Sequence, residues 1–266
     1  MGSSLTGIRP VIVHQRFDFM MYSIDTIVNW LSLWRFKSNG KSGVPLTIRV
    51  IVGKGWGQGP QHSKSLHSWF MHLPGIKVAM PSMAYDAKGL LLESIFGEDP
   101  VIIVEDRSLF AMVDHVPDVP YRVRFGQAEI RRQGEDITIV AVGKMVPKSL
   151  RVARRLSDIS INAEVLDLRT ISPVDEEAIL DSVSKTKRLV VIDPGWHTGG
   201  VSAEIIAMVC EKLGSKLNEN PVRITYPDSH TPMSAVLEDK YYPDDEYIFK
   251  TIREVFDKKS FANLTK

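Results

Sequence analysis

The chain has 266 residues, 44% of them hydrophobic, which is enough for two domains of ordinary size. Its 33 lysines and arginines balance 32 aspartates and glutamates, so the net charge does not favour nucleic acid or an anionic membrane as a partner. The single cysteine, Cys210, excludes an internal disulfide and any multi-cysteine metal site, which indicates a reducing compartment. We expect the cytoplasm, or the matrix of a mitochondrion or plastid in a eukaryote. No apolar run approaches the roughly 18 residues of a membrane span.

Eight short apolar runs are typical of buried strands. They are Pro10–Val13, Leu46–Val52, Lys77–Ala79, Val101–Val104, Ile137–Val142, Ala163–Asp167, Leu189–Asp193 and Val222–Thr225. Helical patterns separate most of these runs, and this alternation predicts an α/β fold with parallel strands covered by helices on both faces.

Five segments have the pattern of helices. They are Met20–Lys37, Met83–Phe96, Val146–Ser157, Asp175–Lys185 and Ser202–Lys212. Asp175 follows Ser172-Pro173 and is expected to begin a first helical turn. The segment Asp114–Arg124 is rich in proline and charge without a regular period, so it is interpreted as a linker. We therefore place one domain at residues 1–125 and a second at 126–266.

A glycine-dense loop, GKGWGQG at residues 53–59, follows the second predicted strand, where parallel sheets present their ligand sites. Its spacing matches neither the dinucleotide motif nor the P-loop. From spacing alone, a ligand-binding loop and a flexible hairpin or wide loop stay equally open. His62 lies just beyond the loop and is placed to act as a donor or acid/base, although a lone histidine is more often structural.

Three other histidines are interpreted as structural. His67 and His72 are five residues apart, so they do not share one helix face for a metal, and we expect both at the surface or the edge of the core. His197 precedes Gly199-Gly200 at a strand end that enters a helix, where free backbone amides favour a subunit contact over catalysis.

The segments GIRPVIVHQRFDFMMYSIDTIVN, GPQHSKSLHSWFMHLPGIKVAMPSMAYDAKGLL and EDPVIIVED resemble the beta subunits of pyruvate, branched-chain 2-oxoacid and acetoin dehydrogenases. The resemblance continues in order through GEDITIVAVGKMV, INAEVLDLRTISPVDEEAIL, RLVVIDPGWHTGG and ITYPDSHTPMSAVLE. It implies a thiamine-diphosphate-binding pyrimidine module with a three-layer α/β fold, followed by a transketolase C-terminal-like α/β/α domain.

In that family thiamine diphosphate lies between two subunits: the alpha subunit holds the diphosphate through Mg²⁺, and the beta subunit covers the aminopyrimidine. This sequence contains no Gly-Asp-Gly signature of the metal-binding half, so the resemblance implies that an alpha subunit carries the Mg²⁺. It also implies that Phe19 packs on the aminopyrimidine, that Gln15 lies beside it, and that His62 orients the substrate and transfers protons at the reacting end. Without the resemblance, core packing at a helix start is the simpler interpretation of Phe19.

The resemblance further implies a structural potassium ion bound by backbone carbonyls at Leu46, Ser94, Ile95, Gly97 and Asp99. Carbonyl oxygens suit a hard cation. Relatives often have Asp and Asn where this chain has Gly97 and Asp99, and a turn without an ion is an equal alternative. Arg169 and Asp175 match positions at a domain or dimer seam, which implies structural pairing.

The resemblance implies oxidative decarboxylation of a 2-oxo acid, with acyl transfer to the lipoyl arm of a separate acyltransferase core and contact between beta subunits. The glutamate that activates the cofactor in relatives would align before Met1. This implies that the chain alone is inactive, and it keeps open a non-catalytic assembly subunit as the alternative. The missing diphosphate signature argues against a stand-alone transketolase-like enzyme.

Overall fold

The computed structural model describes the backbone of residues 1–53 and 57–264 and the side chains of residues 1–53 and 57–256. Its strands are β1 (Val11–His14), β2 (Thr47–Val52), β3 (Lys77–Ala79), β4 (Val101–Asp106), β5 (Glu129–Arg132), β6 (Ile137–Ala141), β7 (Ala163–Asp167), β8 (Thr170–Ser172), β9 (Leu189–Trp196) and β10 (Val222–Tyr226). Its α-helices are α1 (Gly2–Leu5), α2 (Phe17–Met20), α3 (Ile24–Thr26), α4 (Trp34–Lys37), α5 (His67–Met71), α6 (Ala84–Phe96), α7 (Met145–Ser157), α8 (Glu176–Thr186), α9 (Val201–Leu213), α10 (Ala235–Tyr241) and α11 (Asp245–Leu264).

The strands form two five-stranded sheets, in the orders β1-β2-β4-β3-β8 and β10-β9-β6-β7-β5. Within each sheet four strands are parallel, and one edge strand, β8 or β5, is antiparallel. All eight predicted strands are present. The two that the sequence did not predict are these short edge strands, because EIRR and TIS contain no apolar run. The predicted α/β class with mostly parallel strands is confirmed.

Four of the five predicted helices correspond to α6, α7, α8 and α9 within one residue at each end. The continuous helix predicted over Met20–Lys37 is wrong. The segment begins at Phe17, passes through a 3₁₀ turn at Met21–Ser23 and contains a π-helical turn at Ile27–Leu31. The stretch from Ile24 to Val28 is rich in β-branched residues, which weaken a regular α-helix. The predicted linker, Asp114–Arg124, contains neither helix nor strand, as expected.

The two halves of the chain share one interior. Strand β8 comes from the second half but pairs with β3 of the first sheet, with Val78 opposite Ser172. One hydrophobic cluster contains both Val50 of the first sheet and Val191 of the second. No helix among the described residues has the length and hydropathy that crossing a membrane requires.

A buried network of charges joins the halves. The guanidinium of Arg131, on β5, contacts the carboxylates of Asp86, on α6, and Asp167, on β7, and both carboxylates are fully buried. Arg169 lies 2.9 Å from Asp86 and 3.0 Å from Glu129, so its predicted structural pairing is confirmed. Burial, with the neighbouring charge of Asp167, raises the pKa of Asp86 although Arg131 and Arg169 both act to lower it, so the ionised carboxylate depends on both cations.

Replacing Arg131 by methionine would test how strongly this network holds the halves together. The substitution removes one cation and leaves Asp86 and Asp167 buried with too little positive charge. We expect the free energy of unfolding in urea to fall by about 3–5 kcal/mol. Lys250→Ala, which removes an exposed pair with Glu246, is the control and should leave unfolding unchanged. A similar urea midpoint for both variants would contradict this role of Arg131.

Candidate active site

A cavity of about 460 Å³ lies at the carboxyl ends of the parallel strands of the first sheet. It is lined by Gln15, Arg16, Phe19, Ile51, Gln58, His62, Arg107 and Phe110. Strands β1, β2 and β4 end beside it, at His14, Val52 and Asp106. The carboxyl edge of a parallel sheet is where α/β folds bind their ligands, so this cavity is the candidate site.

The structure brings three predicted site residues together: Gln15, Phe19 and His62 all line this cavity. The rings of Phe19 and His62 meet edge to face, with centroids 5.2 Å apart and planes at 70°. Phe19 keeps 41% of its surface exposed, so it does not pack in the core as the simpler interpretation supposed. A half-exposed aromatic ring on a cavity wall offers a flat apolar surface to another ring.

The local geometry of His62 fixes which ring nitrogen carries the proton. Nδ1 lies 2.7 Å from the backbone carbonyl oxygen of Gln61. Because a carbonyl oxygen only accepts, Nδ1–H donates this bond and the neutral ring keeps its lone pair on Nε2. The half-buried His62 can therefore accept a proton at Nε2 and return it, while the bond from Nδ1 holds the ring in place.

The glycine-dense loop begins at a position where a side chain does not fit. Gly53 has φ +104°, and a Cβ there would lie 2.6 Å from the carboxylate of Asp106. Asp106 is itself held by Lys144 of the second half, with the Nζ atom 3.1 Å away, and by Ser108, whose amide donates at 2.9 Å. The middle of the predicted loop, residues 54–56, lies outside the described residues. The Gly59 end packs against Met233 of the second half.

Sequence reasoning missed Arg16 as a cavity residue. Its side chain is 5% exposed, and its Nη1 donates to the backbone carbonyl of Gly53 at 3.3 Å. Burial lowers the pKa of Arg16, and the nearby positive charge of Arg107 lowers it further. Arg16 lies next to Gln15, three residues beyond the predicted strand Pro10–Val13, but strand alternation alone does not distinguish a cavity wall from an exposed face.

The prediction that His67 lies at the surface or core edge is wrong. His67 is fully buried, and its Nε2 lies 2.8 Å from Oδ1 of Asp193, which is also fully buried and belongs to the second half. Gly195 makes room for the imidazole, since a Cβ there would approach the ring to 3.1 Å. The other Asp193 oxygen accepts from the amide of Ser202 at the start of α9. Spacing excluded a metal partner for His67, but it carried no information on a partner 126 residues away.

Three further sequence predictions concern residues outside this cavity. His72 is exposed, as expected. His197 is also exposed, and its Nδ1 lies 3.1 Å from the hydroxyl of Thr225. Asp175 caps α8 by accepting from the amide of Ala178 at 3.1 Å, which confirms the expected helix start.

The five potassium residues lie around the end of α6, but a side chain of this protein contacts two of their carbonyls. The guanidinium of Arg9 donates to the carbonyl oxygens of Ile95 and Gly97. The Leu46 carbonyl accepts from the amide of Val101 at 2.9 Å. Ser94 is buried, and its hydroxyl donates to the Leu90 carbonyl. The Asp99 carboxylate pairs with Arg35 and Lys77. Arg9 thus contacts two of the five carbonyls, and the potassium site stays a prediction. No cluster of three or more metal-binding side chains occurs within the described ranges.

Two protein families match the chain. The model of the transketolase pyrimidine binding domain matches residues 1–112, and that of the transketolase C-terminal domain matches residues 126–248. These two domains, with the two sheets and the cavity at the end of the first, define a transketolase-like protein of the thiamine-diphosphate type.

Curated relatives narrow this class. The chain is 41% identical over 256 residues to the beta subunit of acetoin:2,6-dichlorophenolindophenol oxidoreductase from Bacillus subtilis (strain 168), covering 96% of this chain and 75% of that protein. It is 35% identical over 258 residues to the beta subunit of the pyruvate dehydrogenase E1 component from the same organism, covering 97% and 79%. The chain therefore belongs to the family of E1 beta subunits of 2-oxoacid dehydrogenases, and the resemblance seen in the sequence is confirmed.

A solved structure described as a split gene transketolase, inactive beta4 tetramer, has the same fold. Its TM-score is 0.75 over 96% of this chain and 78% of that chain. The identity is 22%, so this likeness supports the fold alone. It confirms the transketolase-like α/β architecture expected from the sequence.

Position 53 could require glycine because of its positive φ alone, or also because a Cβ would collide with Asp106. Gly53→Ala separates these two causes. Gly7 is the matched control, since it has a similar φ of +95° but nothing within 4 Å of its would-be Cβ. Gly7→Ala should cost about 1–2 kcal/mol of unfolding free energy from backbone strain alone. Gly53→Ala should cost clearly more, because it also pushes against Asp106. Equal losses in urea unfolding would mean that the contact with Asp106 is unimportant.

Proposed function

We propose that this chain is the cofactor-covering beta subunit of a dehydrogenase that oxidatively decarboxylates a 2-oxo acid on thiamine diphosphate and passes the acyl group to a lipoyl arm. The observation that carries the proposal is the half-exposed ring of Phe19 on the wall of the 460 Å³ cavity, in contact with His62. The family of the chain supports it, since its relatives are beta subunits of acetoin- and pyruvate-oxidising enzymes.

The cavity residues fit the aminopyrimidine end of thiamine diphosphate. Phe19 offers a ring face or edge, and Gln15 offers an amide that can both donate and accept beside it. When bound, this cofactor supplies the electron sink that decarboxylation of a 2-oxo acid needs. In this proposal, an alpha subunit holds the Mg²⁺ and the diphosphate.

His62 is proposed as the acid/base of this site. With Nδ1–H bound to the Gln61 carbonyl, Nε2 is the atom that binds the substrate carbonyl or carboxylate and moves a proton. The edge contact with Phe19 limits how far the imidazole can turn. Phe19 therefore helps to hold the imidazole of His62 in position.

Several partners belong to this proposal: an alpha subunit, a second beta subunit and a lipoyl acyltransferase core. The relatives are named as subunits, which supports assembly with other chains. Exposed aromatic side chains at Tyr22, Trp30 and Phe36, all within the helical segment after β1, offer apolar surface for such contacts. The domain division at residue 125 and a reducing compartment remain part of the proposal.

Calorimetric titration with thiamine diphosphate and Mg²⁺ tests the proposal, using this chain alone and after mixing with its candidate alpha subunit. We expect binding only in the mixture. Phe19→Ala in the mixture should weaken binding by at least fivefold, since ring contact contributes about 1 kcal/mol beyond buried area. Phe96→Ala is the control, because Phe96 has a similar exposure of 52% and does not line the cavity. A stable complex that binds no cofactor would favour the non-catalytic assembly subunit instead.

His62→Ala in the same reconstituted complex tests the proton-transfer role. We expect turnover of the 2-oxo acid to fall about a hundredfold, the usual loss for one acid/base group, with cofactor affinity nearly unchanged. His72→Ala is the control: His72 is exposed and does not line the cavity, so this variant should keep normal turnover. Unchanged turnover in His62→Ala would remove His62 from the mechanism.

A further inference from the structure

Arg16 is a buried cation on the wall of the candidate site with an unused hydrogen-bond donor. Its Nη1 donates to the Gly53 carbonyl, but its buried Nη2 has no hydrogen-bond partner in the part of the chain that the structure describes. Gln15 and Phe19 line the same cavity. Buried hydrogen-bond donors in native proteins almost always have an acceptor, so the unpaired Nη2 indicates that a ligand supplies one.

The two carboxylates near Arg16, those of Asp18 and Asp106, form ion pairs with lysines and not with Arg16. Asp18 lies 2.8 Å from the Nζ atom of Lys64, and Asp106 lies 3.1 Å from that of Lys144. Over the described residues, no carboxylate lies within ion-pair distance of Arg16 itself. Arg107 lines the same cavity and adds a second positive charge. The positive charge of Arg16 is therefore not neutralised by a direct ion pair in the described part of the chain.

An uncompensated buried guanidinium is costly, and a bound carboxylate would compensate it with charge-assisted hydrogen bonds. A neutral hydroxy ketone has only weak acceptors to offer, so it would leave most of that charge unpaired. The names of two relatives contain one substrate of each kind: acetoin is a neutral hydroxy ketone, and pyruvate carries a carboxylate.

We propose that Arg16 is a specificity-determining residue that binds a substrate carboxylate, so that this cavity accepts 2-oxo acid anions in preference to neutral hydroxy ketones. The inference rests on the proposed function, because it names the substrate class of the same site. Two carboxylates qualify. One is next to the keto group, and the other is at the far end of a dicarboxylic 2-oxo acid.

Steady-state kinetics of the complex with the alpha subunit test the inference, with 2,6-dichlorophenolindophenol as electron acceptor and pyruvate, 2-oxoglutarate and acetoin as substrates. Arg16→Gln should raise the KM of the 2-oxo acids about tenfold or more, as expected for losing a hydrogen bond to a charged group. Its kcat should change less, and the KM for acetoin should not rise. Arg16→Lys should recover part of the loss. Arg122→Gln, an exposed arginine away from the cavity, is the control.

The substrates separate the two carboxylates. A KM increase for both 2-oxo acids identifies the carboxylate beside the keto group, and an increase for 2-oxoglutarate alone identifies the distal one. Better use of acetoin than of either acid by the unmodified complex would overturn the inference, and so would unchanged KM values in Arg16→Gln. Weaker thiamine diphosphate binding with unchanged substrate KM would also overturn it, because Arg16 would then serve the cofactor.

Cofactor titration distinguishes this failure from failure of the proposed function. If the unmodified complex binds no thiamine diphosphate, both fail. If it binds and turns over while Arg16→Gln behaves normally, only the specificity role fails. Near-ultraviolet circular dichroism of Arg16→Gln and Arg16→Lys checks that each variant is folded, and Arg16→Lys retains the charge if the glutamine variant unfolds.

Discussion

The carboxylate of Asp106 is the constraint on which the candidate site depends. It ends β4, accepts from the amide of Ser108, pairs with Lys144 of the second half and lies against the backbone of Gly53. With less than a tenth of its surface exposed, this ion pair is maintained only while both halves stay packed, since either charge alone would be strongly destabilising there. One side chain thus contacts the start of the glycine-dense loop and links the end of β4 to Lys144 of the second half.

The sequence predicted the framework because the framework is built from repeated patterns. Apolar runs located eight of the ten described strands, and four of the five predicted helices were found almost to the residue. The predictions failed where the local residue pattern does not determine the structure. Strand β5, with the sequence EIRR, has no apolar signature and exists because it pairs with β7. The segment from Phe17 to Lys37 is mostly helical, but a 3₁₀ turn and a π-helical turn interrupt the α-helix, and the second begins in a stretch rich in β-branched residues.

The site was predictable only in part. Phe19, Gln15 and His62 were found through resemblance to a family, and the structure brings them to one cavity although 47 residues separate Gln15 from His62. Arg16 and His67 were missed because their significance depends on partners or charges distant in sequence. The residues around His67 in the sequence give no indication that Asp193 is its partner. Likewise, the carbonyls expected to bind potassium are contacted by Arg9, whose side chain arrives from a segment 86 residues earlier.

Strand β8 makes the first sheet dependent on the second half of the chain. The second half supplies the antiparallel edge strand of the first sheet. Cutting the chain near residue 125 would therefore leave the backbone of β3, from Lys77 to Ala79, open to pairing with strands of other molecules. The first half would then lose the partner that shields it from aggregation, and the second half would carry an unpaired extended segment. Gene fusions and tags are therefore better placed at the chain ends than near residue 125.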